Sequence, residues 1–294
     1  MTNTFLTIVA NQNFKYKESI NFLKNHFYLD IANSTVLSTN AISFEIRDFD
    51  ETKKTHMKKV FTQKKIDFCF LDKFKIPNKI FLCDMDSTII KNETLDDLVK
   101  MCGAEAKVID ETSRLAMEGK IDIKTTLSSR VSLLKGKPKS MIEDVIKGIK
   151  YNQGSNTLIK TLNSNNFNTY LITGGFKPIS TYVGERLEFQ NIISNEFEFE
   201  NGNTFKGTYV PIAGEKNSKL EFMRKLSAEK DIEFKDFVAL GDGANDLGML
   251  KNSGLGIGYN SHKIIKDNIE TQINFTDLKS VLYFLQIKKE NFIS

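Results

Sequence analysis

The sequence feature that most constrains this chain is an apolar run that ends at two carboxylates. Residues Ile80 to Cys83 are apolar and suited to a buried strand, and Asp84-Met85-Asp86-Ser87-Thr88 follow them directly. In an open sheet, the position just beyond the carboxyl end of a strand is where ligands bind. A lone aspartate there is typically a turn or a helix cap, whereas a buried pair of carboxylates calls for a cation. The stretch therefore predicts a site of metal-dependent chemistry.

Two later stretches repeat the pattern of a strand followed by polar residues. Thr169 to Ile172 predict a second strand, and the Thr173-Gly174-Gly175 turn after it offers a hydroxyl and backbone amides to an anion, although such a turn is also common as ordinary structure. Phe237 to Leu240 predict a third strand, which ends in Gly241-Asp242-Gly243-Ala244-Asn245-Asp246. A dinucleotide-binding fingerprint is excluded here, because an aspartate replaces its third glycine. The three strand ends therefore deliver polar side chains to one site.

Lys219 stands at an unusual position for a lysine. The residues from Ser218 onward predict a helix, so that Lys219 lies in its first turn. The positive end of the helix dipole disfavours a cation there. Most lysines of the chain only add solubility, but this placement favours a functional role.

The segment from about residue 94 to residue 165 carries helical periodicity and no strand signal. A helical insertion directly after the Asp84 loop would stand over that loop as a lid, exclude water and select substrate. Further along, Asn201-Gly202 lies between two strand-like runs and predicts a hairpin with a type I′ turn.

Residues 1–76 have a rhythm of their own. They predict the element order βαββαβ, which indicates a small α+β domain of the ferredoxin-like type that amino-acid-sensing ACT modules share. Six lysines between residues 53 and 65 stand near aromatic residues, so nucleic-acid binding has to be weighed. A solvated helix face explains the lysines and a buried strand face explains the phenylalanines, so we expect no nucleic acid as a partner.

Composition restricts the classes of protein to consider. With 294 residues, 40% of them hydrophobic, the chain is long enough for one large domain or two modest ones. It contains no apolar run of the roughly 18 residues that a membrane helix needs, and its first ten residues carry no lysine or arginine, unlike a signal peptide. We therefore expect a cytoplasmic protein with no membrane partner. Neither the cysteines nor the histidines show metal-ligand spacing, so reduced buried thiols are expected at Cys69, Cys83 and Cys102.

Taken together, these motifs resemble those of the haloacid dehalogenase superfamily of phosphotransferases. The four ordered motifs are Asp84-Met-Asp86-Ser-Thr, Thr173-Gly-Gly, Lys219 and Gly241-Asp-Gly-Ala-Asn-Asp246. Within that superfamily the chain is similar to the phosphoserine phosphatase family, because of Asn92-Glu93-Thr94, Ala116-Met117-Glu118-Gly119-Lys120 and Arg130-Val-Ser-Leu-Leu134. The similarity covers roughly residues 78 to 290.

This resemblance implies a fold and a mechanism. The fold is α/β: a doubly wound, mainly parallel sheet over residues 77–294, with a helical cap at about 94–165 inserted after the first motif. The implied mechanism is hydrolysis through an aspartyl-phosphate, with Asp84 as nucleophile, Asp86 as general acid and base, and Lys219 as a third catalytic residue. A Mg²⁺ ion held by Asp84, the backbone carbonyl of Asp86 and Asp242 is implied as the cofactor. The resemblance assigns substrate binding to Glu93, Met117, Arg130, Thr173, Gly174, Lys219 and Asn245, with Asp246 in support.

The implied substrate is O-phosphoserine, hydrolysed to L-serine in the last step of serine biosynthesis. Glu93 matches its ammonium, and Arg130, one of only five arginines in the chain, matches its carboxylate with up to two hydrogen bonds. Two residues depart from the family pattern: Ile123 replaces an aromatic lid residue, and Thr173 replaces a serine. Two alternatives stay open, namely action on another small amine phosphate and an amino-acid-binding regulatory protein. The oligomeric state is also open, a homodimer included.

Overall fold

The structure, a computed structural model, describes residues 4–47, 49–71, 79–212 and 218–294. Its first six elements have the predicted order βαββαβ, and the predicted boundary between residues 76 and 77 lies outside the described residues. These elements are β1 (Thr4–Val9), α1 (Tyr16–Phe27), β2 (Asp30–Ser38), β3 (Ala41–Arg47), α2 (Glu51–Gln63) and β4 (Asp67–Leu71).

The four N-terminal strands form an antiparallel sheet in the order β2-β3-β1-β4. Leu23 and Phe27 of α1 and Met57 and Phe61 of α2 pack on one face of this sheet and build a separate hydrophobic cluster. The alternating pattern of β4 explains the packing, because Phe68 and Phe70 face that cluster. Cys69 points to the other face, into the core of the remainder of the chain.

Apart from one hairpin, the remaining strands alternate with helices, as predicted. They are β5 (Ile80–Cys83), β6 (Asn168–Phe176), β7 (Asn191–Glu200), β8 (Thr204–Val210), β9 (Phe237–Gly241), β10 (Leu255–Tyr259) and β11 (Thr271–Ile273). The run β11-β10-β9-β5-β6-β7 is parallel throughout. Strand β5 lies at its centre and is apolar at every position because both of its faces are covered. This order makes β9, β5 and β6 neighbours, which places the three polar strand ends side by side.

Five helices fill the segment between β5 and β6. They are α3 (Thr94–Met101), α4 (Ala106–Met117), α5 (Ile123–Leu133), α6 (Met141–Lys147) and α7 (Ser155–Ser164). Helices α3, α4 and α5 pack on one another, whereas α7 packs against β6 and so belongs with the layer that covers the sheet. The α-helices that follow are α8 (Lys177–Arg186), α9 (Ser218–Lys230), α10 (Leu247–Asn252), α11 (Lys263–Lys266) and α12 (Ser280–Phe284).

The hairpin of β7 and β8 has the predicted turn, with positive φ at Asn201 (49°) and Gly202 (72°), as a type I′ turn requires. The hairpin also holds the helical segment. Phe205 accepts a hydrogen bond from the Gly136 amide at 2.8 Å and donates one to the Lys137 carbonyl at 2.9 Å. The β7–β8 hairpin, which the sequence predicted as a structural element, therefore anchors the helical segment that lies over the strand ends.

Both parts of the chain belong to one eleven-stranded sheet, because β4 pairs antiparallel with β11. Buried Asp67 fastens this junction: its carboxylate accepts hydrogen bonds from the amides of Asn274, Phe275 and Thr276 and from the Thr276 hydroxyl, between 2.6 and 3.3 Å. Two of the lysines weighed for nucleic-acid binding, Lys54 and Lys58, form ion pairs with Glu270 across the same junction.

Two details differ from the sequence predictions. Strand β10 was not predicted, because glycines interrupt its apolar pattern. Strand β6 continues through Gly174 and Gly175 to Phe176, so the glycine pair lies in a strand and not in a turn. Among the described residues, no helix is long and apolar enough to cross a membrane.

Candidate active site

The site forms where β9, β5 and β6 end next to one another. Asp84 directly follows β5, and its amide donates a hydrogen bond to the Leu240 carbonyl of β9 at 3.0 Å. Asp242 follows β9, and Thr173 lies in β6, where its hydroxyl accepts a hydrogen bond from the Gly175 amide at 2.8 Å. Side chains far apart in the sequence therefore meet through the order of the strands in the sheet.

A buried lysine joins two of the aspartates. Lys219 lies in the first turn of α9, is 1% exposed, and directs its ammonium to the carboxylate of Asp84 and to Asp246 Oδ1 at 2.6 Å. The other oxygen of Asp246 accepts hydrogen bonds from the amides of Asp242 at 3.0 Å and Gly243 at 3.1 Å. Asp246 thus fixes the lysine and the loop that carries Asp242.

Burial governs the electrostatics of this cluster. Desolvation raises the pKa of Asp84 to about 6, against the opposing effect of the Lys219 ammonium. Desolvation, reinforced by Asp84, raises the pKa of Asp242 well above its usual range. Burial lowers the pKa of Lys219, but the carboxylates of Asp246 and Asp84 outweigh it and leave that pKa raised. The cluster therefore carries more negative charge than its one ammonium compensates.

The residues present fit a divalent metal ion. Carboxylate oxygens of Asp84, Asp242 and Asp246 lie within 4.8 Å of one another, and all three side chains are buried. Three ionised carboxylates against one ammonium leave two negative charges, which a divalent cation balances. Carboxylate oxygens are also the donors that hard divalent cations take. The side chain of Asp86 is outside this group, so its predicted part in metal binding, which concerns its backbone carbonyl, stays a prediction.

Asp86 and Glu93 lie on the side of the pocket towards α3. The carboxylate of Asp86 accepts a hydrogen bond from the Thr94 amide at 2.9 Å, and desolvation together with Asp84 raises its pKa to about 7. Glu93 accepts a hydrogen bond from the Ser87 hydroxyl at 2.6 Å, and desolvation together with Asp86 raises its pKa to about 8. Both carboxyl groups would gain from a cationic ligand group.

A pocket lies between the strand ends and helices α3 to α5. Eight of the residues singled out in the sequence line it, namely Asp84, Asp86, Glu93, Met117, Arg130, Thr173, Gly174 and Asn245. The other three, Lys219, Asp242 and Asp246, are buried beside Asp84. The side-chain oxygen of Asn245 is buried with no hydrogen-bond partner among the residues that the structure describes. Such an atom is costly unless a ligand, ion or water satisfies it.

The helical segment is closed onto the strand ends. The Met117 carbonyl at the end of α4 accepts a hydrogen bond from the Ala244 amide at 2.9 Å. In β6, Gly175 allows the strand to lie close to Asp86, since a Cβ atom at this position would be only 3.0 Å from the Asp86 carboxylate. Ile123 begins α5, but its side chain lies outside what the structure describes.

Arg130, predicted to bind the substrate carboxylate, already has an acidic partner within the protein. Its guanidinium is buried and paired with Asp96, another residue that lines the pocket, at 2.8 Å between Nε and Oδ1. Sequence reasoning missed Asp96. The signal that could have found it is helical spacing, because Asp96 follows Glu93, the residue that precedes α3, by three residues and so lies on the same side.

Comparisons with known proteins show which family this chain is similar to in sequence and fold. A family model described as haloacid dehalogenase-like hydrolase matches residues 81–251. The phosphoserine phosphatase of Lactococcus lactis subsp. lactis (strain IL1403) is 32% identical over 206 residues, which make up 70% of this chain and 94% of that protein. A solved structure described as a phospho-aspartyl intermediate analogue of phosphoserine phosphatase is 31% identical with a TM-score of 0.66, over 70% of this chain and 98% of that one. A HAD family hydrolase from Salmonella enterica serovar Typhi shares the fold at a TM-score of 0.83 and 23% identity, over 97% of this chain and 99% of that one.

Proposed function

The chain belongs to the haloacid dehalogenase-like hydrolase family, and we propose that it is a phosphoserine phosphatase that hydrolyses O-phospho-L-serine to L-serine and phosphate. The observation that carries the proposal is the buried contact of Lys219 with Asp84 at the base of a pocket that also holds Glu93 and Arg130. A nucleophile, a charge stabiliser and two groups of opposite charge for an amino acid are thus assembled in one place.

Asp84 is the nucleophile in this proposal. Its carboxylate oxygen attacks the phosphorus, the serine oxygen leaves, and an aspartyl-phosphate forms on Asp84. Water then attacks the same phosphorus, which releases phosphate and restores the carboxylate. Lys219 and the donors of Thr173, Gly174 and Asn245 stabilise the phosphoryl oxygens during both steps. Asp246 supports the reaction by holding Lys219 in place.

Asp86 acts as the general acid and then as the general base. It protonates the leaving serine oxygen in the first step and takes a proton from the attacking water in the second. Its pKa of about 7, raised by desolvation and by Asp84, supports this role because the carboxyl group then exchanges a proton readily near neutral pH. One residue therefore serves both half-reactions.

Mg²⁺ is the proposed metal, held by the carboxylates of Asp84 and Asp242 and the backbone carbonyl of Asp86. When bound, it offsets the repulsion between an anionic nucleophile and an anionic ester. Asp246 is the poorer ligand, because Lys219 and two loop amides already engage its two oxygens.

Substrate selection follows from charge. Glu93 takes the ammonium of phosphoserine, Arg130 takes its carboxylate, and Met117 closes the pocket from the end of α4. The product is L-serine, and we place the reaction at the last step of serine biosynthesis in the cytoplasm. Three free cysteines, two of them buried, support a reducing compartment.

The test is phosphate release from L-phosphoserine, with and without Mg²⁺, by the wild type and the Asp84→Asn variant. We expect metal-dependent turnover that EDTA abolishes, and a loss of at least about 10⁴-fold in the variant, because an amide cannot act as the nucleophile. Asp97→Asn is the matched control, since it removes a charge from the start of α3 away from the pocket lining.

The control substrate is phosphoethanolamine, which has the ammonium but no carboxylate. Equal turnover of both substrates would favour the alternative of another small amine phosphate. Absence of turnover on every phosphate ester, together with amino-acid binding in calorimetry, would favour the regulatory alternative. Full activity of the Asp84→Asn variant would refute the mechanism.

A further inference from the structure

Arg130 is held at the point where three helices of the segment over the site meet. From α5, its Nη2 donates hydrogen bonds to the Ile109 carbonyl at 2.9 Å and the Thr112 hydroxyl at 2.7 Å, both in α4. Its Nε lies 2.8 Å from Asp96 Oδ1 in α3. Arg130 is 6% exposed, and its guanidinium is fixed from two neighbouring helices.

These contacts determine which part of Arg130 a ligand can reach. A guanidinium has N–H groups on three nitrogens, and a carboxylate is gripped by two of them side by side. Here Nη2 donates two hydrogen bonds, and Nε is buried in its ion pair with Asp96 without a hydrogen bond of its own. Nη1 has no hydrogen bond or ion pair in the described part of the chain. Because Arg130 lines the pocket, Nη1 is the nitrogen left to an anionic ligand group.

Asp96 is buried as deeply as Arg130 and is held in its turn. Its second oxygen accepts a hydrogen bond from the Ser113 hydroxyl of α4, so both oxygens are engaged. A buried guanidinium without a counter-charge would be unfavourable, and Asp96 supplies that charge to Arg130. Ser113 in turn holds the Asp96 carboxylate in place.

We propose that Asp96 is the positioning residue for Arg130 and thereby determines specificity for substrates that carry a carboxylate. Asp96 fixes the guanidinium through Nε, so that Nη1 stays turned to the pocket and binds the substrate carboxylate. This inference rests on the proposed function and adds a residue to its substrate site. It also separates the roles of two nearby carboxylates, since Glu93 receives the ammonium and Asp96 does not.

The experiment compares the kinetics of Asp96→Asn on L-phosphoserine and on phosphoethanolamine. The variant keeps the shape of the side chain but removes the charge that holds Nε. We expect the KM for phosphoserine to rise about tenfold, as for one weakened charged contact, with kcat within about twofold of the wild type. We expect no change on phosphoethanolamine, which does not use Arg130. Asp97→Asn is the matched control, with the same charge change at the next position of α3, and should leave both substrates unaffected.

A second pair of variants tests whether Asp96 acts through Arg130. In an Arg130→Ala background, Asp96→Asn should produce no further rise in the KM for phosphoserine. Ser113→Ala removes the hydrogen bond to the other oxygen of Asp96 and should raise the same KM about threefold, a smaller effect in the same direction. This variant decides the question if Asp96→Asn does not fold.

Three results would overturn the inference. An equal loss on both substrates would show that Asp96 contacts the ammonium, and an unchanged KM for phosphoserine would show that Arg130 needs no positioning. An additional effect of Asp96→Asn in the Arg130→Ala background would show an independent role. In each case the wild type still prefers phosphoserine, so the proposed function stands. If the wild type does not hydrolyse phosphoserine, both the function and this inference fail.

Discussion

The two carboxylate oxygens of Asp246 have different hydrogen-bond partners at the site. Its Oδ1 lies 2.6 Å from the Lys219 ammonium, and its Oδ2 accepts hydrogen bonds from the amides of Asp242 and Gly243. Gly241 makes this arrangement possible, because a Cβ atom at that position would lie 2.4 Å from the Asp246 carboxyl carbon. The motif therefore needs a glycine at 241 to leave room for the Asp246 side chain. It needs a carboxylate at 246 to accept hydrogen bonds from both Lys219 and the two loop amides.

The different partners of the two oxygens predict the effect of Asp246→Asn. An asparagine has one acceptor oxygen, so either Lys219 or the loop amides lose their partner. We expect kcat for phosphoserine to fall about 100-fold, the effect of misplacing one group that stabilises the transition state, with little change in KM. Steady-state kinetics measure both constants. Asp267→Asn, at an exposed ion pair with Lys263, is the control, and an unchanged kcat in Asp246→Asn would contradict the assigned role.

Residue types and their spacing pointed to every residue of the carboxylate and lysine cluster. The sequence did not reveal Asp96, because an aspartate in the first turn of a helix is ordinary there and stabilises the helix dipole. Its contact with Arg130 joins α3 to α5, and no local pattern contains that information. The spacing from Glu93 could have placed Asp96 beside the pocket, but its action through Arg130 becomes visible only once the helices are packed.

At the scale of elements, β10 shows why a strand can escape sequence prediction. Its sequence Leu255-Gly-Ile-Gly-Tyr259 alternates apolar residues with glycines, which weaken a strand signal. The structure supplies the reason for the glycines. A Cβ atom at Gly256 would lie 2.2 Å from the Leu250 carbonyl, and one at Gly258 would lie 2.4 Å from the Gln272 side chain. At Gly256 the strand lies so close to the backbone of α10 that only glycine fits, whereas at Gly258 the end of the Gln272 side chain would have to move.

Gly256→Ala is accordingly expected to be strongly destabilising. The added methyl group collides with backbone, which cannot move as a flexible side chain can, so we expect the free energy of unfolding to fall by about 3 kcal/mol. Gly148→Ala is the matched control, because its Cβ atom would lie at an ordinary 3.4 Å from the nearest carbonyl. That change should stay within about 0.5 kcal/mol of the wild type. Chemical denaturation of both variants measures the difference, and equal stabilities would refute the packing argument.

At the scale of the whole molecule, the N-terminal elements are bound to the remainder of the chain. The shared sheet, the Asp67 contacts with residues 274–276 and the ion pairs of Glu270 all cross the junction. The carboxylate of Asp67 satisfies three backbone amides of a loop that would otherwise need other partners. The junction therefore contributes to folding, and not only to the relative placement of two parts.

We expect Asp67→Ala to lower the free energy of unfolding by about 3 kcal/mol, because it leaves several donors unpaired. Asp50→Ala is the control within the N-terminal part. Asp50 caps α2 through the Lys53 amide at 2.8 Å, and the loss of such a cap costs about 1 kcal/mol. Denaturation followed by circular dichroism measures both, and kcat should be unchanged in each since neither residue lines the pocket. A smaller loss for Asp67→Ala than for Asp50→Ala would contradict the importance assigned to the junction.

The sequence by itself determined the elements that carry chemistry. Apolar runs of four or five residues specified the strands that end at Asp84 and Asp242, because burial on both faces excludes polar residues from them. The residue types at those ends predicted a site of metal-dependent chemistry, and the resemblance of the four motifs to the haloacid dehalogenase superfamily implied phosphoryl transfer. The order of the strands, the pairing of Arg130 with Asp96 and the junction at Asp67 were decided only by the tertiary structure. These are contacts between segments 30 to more than 200 residues apart, and they depend on which surfaces pack together, which no local pattern records.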